Sequence, residues 1–339
     1  MQNLTQYEYL DRDLILKGVA NWLVKESPML GAMPMKSIQG NSYKYNISTS
    51  LPTASWLTVG DQIPESTGAY EQRSTDIFTM IQNAYTDKAA IALNATQNPE
   101  AIDAELAAQA MAHEWEKTLI VGQTSTQSNS KQFKGLLRII AEFESSTTTD
   151  LDGAAPGLAG NNSQVLAGAA TEATMTMAMI DELIDRIKPG KPDVLLMSRL
   201  SRRRLNTLQR ASGAGSGAGL VLTQSEMFGK FMSTYDEIPI YVSDFLPDNF
   251  PINTTPGILT TSTYNYDAAR AATGDLDHSI IFAMQIGEKK VQGLNAGEMK
   301  HERKEIVENY NAILNRYVWY TGLMCASKYS LAVLTGLNA

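Results

Sequence analysis

The segment from Asn41 to Met80 limits what this chain can fold into more than any other. Ser42 to Ser48, SYKYNIS, alternates aromatic and β-branched residues with polar ones, which predicts a strand. A tip containing Pro52, Trp56, Leu57, Gly60, Asp61, Ile63, Pro64 and Gly68 follows, and a return strand over roughly 69–81 closes a ribbon. With arms of about 12 residues, such a ribbon extends about 40 Å. A lone hairpin is at best marginally stable in water. This one carries Trp56, Leu57 and Ile63 near its far end, so it calls for a surface that another molecule supplies.

The 339 residues suffice for one large domain or two ordinary ones, and an apolar fraction of 43% is ample for a core. Twenty-eight basic against 36 acidic residues give a net charge of −8, which argues against a protein that coats nucleic acid through a basic face. A shell that encloses DNA without gripping it can still be acidic. The single cysteine, Cys325, excludes an intrachain disulfide and reads as a small buried hydrophobe. The N-terminal residues lack the pattern of a signal peptide, and no apolar run approaches the roughly 20 residues that span a bilayer. A chain made in a reducing cytoplasm, without membrane contact, is expected.

Along the chain, residues 10–25 predict an amphipathic helix with Leu10, Leu14, Val19, Trp22 and Leu23 near one face. A Met-, Gly- and Pro-rich irregular stretch follows from Met29 to Met35. Asn98 as cap, Pro99 in the first position and Glu100 in the first turn predict a long helix to Val121. Its stripe is Ala104, Ala108, Met111, Trp115 and Leu119, widened by Ile102, Leu106 and Ala110. Residues 144–168 read as a loop between two lobes. A second helix is predicted over roughly 172–188, with Met177, Ile180, Ile184 and Ile187 as its stripe. PDVLLMS predicts a buried strand and SRRRLNTLQ a short helix capped by Ser201. The glycine-rich residues 211–219 predict a loop, and IPIYVSDFLP and HSIIFAMQIG two further strands. Helices and strands mix without regular βαβ alternation, so the expected class is α+β.

No catalytic constellation emerges. His113-Glu114 and His301-Glu302 each open a zinc-protease motif that no histidine completes at position 117 or 305. The glycine-rich stretch follows a helix rather than a strand, contrary to a dinucleotide fingerprint, and it does not match a serine-hydrolase elbow. No cofactor or metal is expected. Arg202, Arg203 and Arg204 form the strongest basic cluster, open to three readings: packaged DNA, an acidic neighbouring surface, or a solvated helix face.

The order of these elements resembles a family. The ribbon SYKYNISTSLPTASWLTVGDQIPESTGAYEQRSTDIF, the helix ending EWEKTLIVG and the following KGLLRII look like the first half of tailed-phage major capsid proteins of the Hong Kong 97-type fold. KPDVLLMSRLSRRRLNTL, IPIYVSDFLP and the closing strand-rich block look like the second half. The resemblance implies an N-terminal arm at 1–37, an extended loop at 38–84 lying over a neighbouring subunit, and a peripheral domain at 85–159 with a spine helix at 99–121. It further implies an axial domain at 160–290 and a C-terminal segment at 291–339 completing both domains. The implied function is a virion shell protein, not an enzyme, that assembles in the host cytoplasm as hexamers and pentamers into an icosahedral shell around the genome. Its implied partners are itself, a scaffolding protein, a portal, a decoration protein and, non-specifically, packaged double-stranded DNA. The expected intersubunit contacts are Trp56, Leu57, Ile63, Leu14, Trp22, Arg202, Arg203 and Arg204.

Some relatives weld the shell through a lysine on the extended loop. Here Lys44, near the ribbon base, is the only lysine between Asn41 and Asp87, so non-covalent locking is expected. With no long charged helical segment ahead of the arm, a separate scaffolding protein is expected. An encapsulin-type compartment, which shares the fold, and a cytoplasmic hydrolase are the alternatives.

Overall fold

The computed structural model describes residues 28–88, 91, 99–123, 131–144, 164–167, 174–213, 222–227, 230–246, 248, 278–305 and 310–338. The expected helix at 10–25, with Leu14 and Trp22, lies outside them, as do Asn98, residues 214–219 and most of 144–163.

The first described elements are a helical turn α1 (Pro28–Ala32), β1 (Met35–Ser37) and the ribbon strands β2 (Ser42–Ser50) and β3 (Ala69–Asp76). β4 (Phe78–Asp87), α2 (Pro99–Val121), α3 (Leu136–Glu144), β5 (Val165–Ala167) and α4 (Met177–Asp185) follow. Next come β6 (Val194–Met197), α5 (Arg199–Gly213), β7 (Leu222–Met227), β8 (Lys230–Tyr235), β9 (Ile238–Val242) and β10 (His278–Met284). β11 (Val291–Asn295), β12 (Lys300–Lys304), β13 (Ala312–Cys325) and β14 (Leu331–Asn338) close the chain. The class is α+β, as expected. The stretch expected to be irregular from Met29 to Met35 instead contains α1 and the start of β1.

Two sheets form the body. In the first, the 14-residue β13 is the axis. β4 pairs antiparallel along one of its edges, while β11 and β12 pair in succession along the other, with β1 parallel to β11. In the second, seven strands run β5-β14-β10-β6-β9-β8-β7. Its central strands are buried on both faces, which is why VLLM and SIIFAM read as unbroken apolar runs. Leu196, Phe282 and Val333 face one core with α2 and α3, whereas Leu195, Ile281 and Ala332 face the other with α4 and α5.

The helix over 99–121 is where periodicity puts it, and Ala104, Ala108, Met111, Trp115 and Leu119 are all buried. The widening residues were misassigned: Ile102 and Leu106 are 40% and 58% exposed, and Ala110 is exposed too. Ala107, Ala112 and Ile120 widen the buried face instead, because small residues let the helix lie close against the sheet. Trp115 sits 6.2 Å from Trp319 and 6.4 Å from Phe133, ring centre to ring centre, and its indole N–H donates to Thr321 Oγ1 at 3.2 Å. Gly122 ends the helix where a methyl group would collide with the carbonyl oxygens of Phe133 and Thr118.

The other end of α2 is held by charge. Glu100, 7% exposed, accepts from Arg303 Nε at 2.6 Å and from Asn315 Nδ2 at 3.0 Å. Burial alone would push its carboxyl up, but these hydrogen bonds outweigh that and hold it below its ordinary value of 4.5. A depressed native value stabilises the fold above the unfolded-state value and loses that contribution as pH falls through the native one. Wild type should therefore withstand urea better than Glu100→Gln at neutral pH. Urea midpoints measured across a pH series should begin to converge below about pH 4.5 and meet once the pH is under the lowered native value.

Three further boundaries differ from expectation. α4 begins after Thr176, whose hydroxyl accepts from Met179 N, rather than near 172, and it ends at Asp185. α5 starts at Arg199 and is capped by Ser198, whose Oγ accepts from Ser201 N at 3.1 Å; Ser201 is inside the helix. It also runs to Gly213, so residues 211–213 of the glycine-rich stretch are helical. Finally, residues 165–167, read as loop, form β5 on the edge of the seven-stranded sheet, parallel to β14.

Candidate intersubunit surface

β2 and β3 pair only with each other, from Ser42 opposite Asp76 to Ser50 opposite Ala69. The eight-residue β3 is shorter than the 12-residue arms expected, so the paired part spans about 27 Å. The return strand does not continue to residue 81. The Ile77 amide donates to the Asn41 carbonyl at 2.9 Å and closes the ribbon, and Phe78 starts β4 in another sheet. The change follows the side chains: AYEQRSTD is largely polar and exposed, whereas Phe78, Met80, Gln82 and Ala84 alternate inward beneath α2.

The base of the ribbon is anchored to the body. Tyr43, Tyr45 and Ile47 are half-buried, and the Tyr45 hydroxyl donates to the Cys325 carbonyl at 3.1 Å. Lys36 Nζ donates to the Tyr43 hydroxyl and to Glu288, each at 3.1 Å, and both bonds raise the lysine above its ordinary value. Arg73 lies over the Phe143 ring at 4.9 Å. Cys325 itself is buried, and burial pushes its thiol up to about 11, so it stays protonated and inert.

Among the described residues, the tip's hydrogen bonds run within the tip itself. Thr53 N donates to Ser66 Oγ at 2.7 Å across the loop. Thr58 N donates to Asp61 Oδ2 at 2.8 Å, and Asp61 N returns a bond to the Thr58 carbonyl, a turn that Gly60 enters with φ of +102°. Every residue from 51 to 67 is exposed. Of the expected contact residues, Trp56 and Ile63 are 103% and 78% exposed, and Leu57 is 46% exposed. Leu51 and Val59 in the tip, and Tyr70 on β3 beside it, are also exposed and were not singled out from the sequence, although for the first two an apolar residue in an unpaired loop is the signal that marks them.

The arginine cluster lies elsewhere, on α5 against the seven-stranded sheet. Arg202, Arg203 and Arg204 are exposed. Arg202 and Arg203 join Arg199, Asn206, Thr207 and Asp248 around an open groove of about 530 Å³. Arg199 is held by Asp244, its Nη2 donating to Oδ2 at 2.6 Å. The structure thus does not bring the arginines and the ribbon of one chain together. Among the described residues no group of three or more His, Cys, Asp or Glu side chains could hold a metal, and no described helix is long and apolar enough to cross a membrane.

Solved structures share this architecture. The holo-SrpI encapsulin complex of Synechococcus elongatus PCC 7942 matches with a TM-score of 0.60 at 14% identity, over 91% of this chain and 87% of the other. The capsid of the empty GTA particle matches with a TM-score of 0.59 at 11% identity, over 91% and 88%. A chain of Microbacterium phage Oxtober96 matches with a TM-score of 0.57 at 12% identity, over 91% and 90%. The fold is therefore that of Hong Kong 97-type shell proteins, which encapsulins and capsids have in common. No curated protein matches by sequence. Residues 11–154 match the family model of the major capsid protein GP7. Over those residues the chain is similar to a phage capsid family, and across 91% of its length it shares a fold with phage capsid chains.

Proposed function

We propose that the chain is a major capsid protein of a tailed phage, a structural subunit of the virion rather than an enzyme, and that it builds its shell by overlap, with residues 38–84 as an extended loop laid over a neighbouring copy and residues 1–37 as an arm. On this reading α2 is the spine of a peripheral domain at 85–159, residues 160–290 form the axial domain around the capsomer centre, and residues 291–339 complete both. Hexamers and pentamers close into an icosahedral shell around the genome, assisted by a scaffolding protein and a portal and reinforced by a decoration protein. Packaged DNA is enclosed without sequence-specific contact. The observation that carries this reading is the tip, where Trp56, Val59 and Ile63 sit almost wholly in water although their transfer to an apolar surface is favourable. Many modest overlaps of this kind combine into a cooperative closed surface.

Expression with a scaffolding protein, followed by negative-stain microscopy, tests it: closed icosahedral particles are expected, and a subunit that stays monomeric at high concentration would refute it. Lys44 is exposed at the ribbon base, far from the tip, which supports locking without covalent welds. Boiled in denaturing detergent, the particles should yield a single monomer band rather than a ladder.

A further inference from the structure

The hairpin of β8 and β9 turns through two residues, Asp236 and Glu237, because Tyr235 pairs directly with Ile238. Both have positive φ, +47° and +70°. A two-residue turn of this hand suits asparagine or aspartate followed by glycine. Glu237 therefore stands where glycine would carry no steric penalty. Asp236 is held by Lys191, Nζ to Oδ2 at 2.6 Å, whereas the exposed Glu237 carboxylate has no ion pair among the described residues. A strained acid kept at an exposed tip is a feature that a binding role explains.

The opposite unmatched charge lies across the seven-stranded sheet. In the groove on α5, Arg199 is paired with Asp244, and Asp248 accepts from Ser279 Oγ at 2.8 Å. The exposed Arg202 and Arg203 guanidiniums have no ion pair among the described residues, and Asn206 adds an amide to the same lining. β6 and β9 run parallel, so the acidic turn sits where both strands start, and Arg199 and Asp244 sit where both finish. The five residues of β9, about 17 Å of strand, lie between them. One chain holds the two charges apart.

We propose that the arginine groove receives the Asp236-Glu237 turn of a second copy, the Glu237 carboxylate accepting from Arg202 and Arg203. The contact rests on the self-assembly proposed above but uses neither the ribbon nor the arm. A protruding turn fits a groove, and two complementary patches at separate places on one molecule make the head-to-tail contact that closes rings. A carboxylate in the lining, Asp248, and the net charge of −8 favour a compact acidic turn over the continuous phosphates of nucleic acid. Arginine–carboxylate pairs are among the stronger hydrogen bonds and fix the orientation of the surfaces they join.

The test uses the full chain and its assembled particles. Glu237→Gly relieves the turn, so its urea midpoint should equal or exceed that of wild type while particle yield falls about tenfold. Wild-type yield from this variant overturns the proposal. Arg202→Glu with Arg203→Glu should lower the yield by a similar factor, and adding Glu237→Lys should restore it; failure of that rescue with folded subunits counts against the pairing. A photo-reactive residue at position 237 locates the contact independently. An interchain cross-link to residues 199–207 supports it, whereas a cross-link to another surface, or one confined to the same chain, overturns it and leaves the ribbon's overlap standing. Arginine variants that assemble normally but no longer bind a double-stranded oligonucleotide would assign the groove to nucleic acid instead. Wild-type subunits that never assemble would refute the reading on which the contact rests.

Discussion

Replacing residues 52–66 with a two-residue Asn-Gly turn should leave a folded subunit that no longer forms shells. None of the removed side chains is buried in the chain, so the body loses no core contact. The two ribbon strands would still meet through a turn that suits their twist. Far-UV circular dichroism and the urea midpoint should stay at wild-type values. Assembly should collapse, because each copy forfeits the burial of Trp56, Val59 and Ile63. Full burial of one such side chain is worth about 1.5–3 kcal/mol before the costs of association. The loss recurs at every overlap, so sedimentation should show particles reduced at least about tenfold. Normal shells from this variant would remove the ribbon from the assembly mechanism.

The largest effect on the fold itself is expected at Trp115. Trp115→Ala should destabilise the subunit by about 3–5 kcal/mol, measured as a fall in the urea midpoint. The ring is 0% exposed, lies between Trp319 and Phe133, and ties α2 to β13 through Thr321. Its removal opens a cavity and leaves a buried hydroxyl without this donor. Leu106→Ala in the same helix is the control: Leu106 is 58% exposed, so its truncation should change stability by no more than about 0.5 kcal/mol. Equal effects at the two positions would mean that α2 is docked on its other face.

That contrast shows how far periodicity reaches. The spacing of Ala104, Ala108, Met111, Trp115 and Leu119 predicts the helix and the centre of its buried face. It does not predict which flank is buried, because Leu106 outranks Ala107 in hydrophobicity while the close approach of the sheet favours alanine. The cap of α5 was missed by three residues for a related reason: SRLS offers two serines at helical spacing, and either can cap. The strand over 42–48 was legible, and so were VLLM, IPIYV and HSIIFAM, since alternation and apolar runs are local signals.

The site divides in the same way. Trp56, Leu57 and Ile63 could be assigned to an exposed tip from the sequence, because turn residues surround them and no periodic pattern offers them a core. The exposure of Ile81 and Tyr85 could not, since their row partners are set only when β4 pairs with β13, more than 220 positions along the chain.

The amino-acid sequence by itself determined the local elements: a ribbon too slender to shelter its own apolar tip, a long helix with an aromatic-bearing stripe, and strands buried on both sides. Tertiary structure alone decided where the ribbon stops, at Ile77, and that β13 would draw β4, β11 and β12 into one sheet. It also decided that Glu100 would find Arg303, 203 positions away. The physical reason is range: helix turns and strand alternation are written within a few residues, whereas strand partners and buried ion pairs are chosen by which distant surfaces can bury each other.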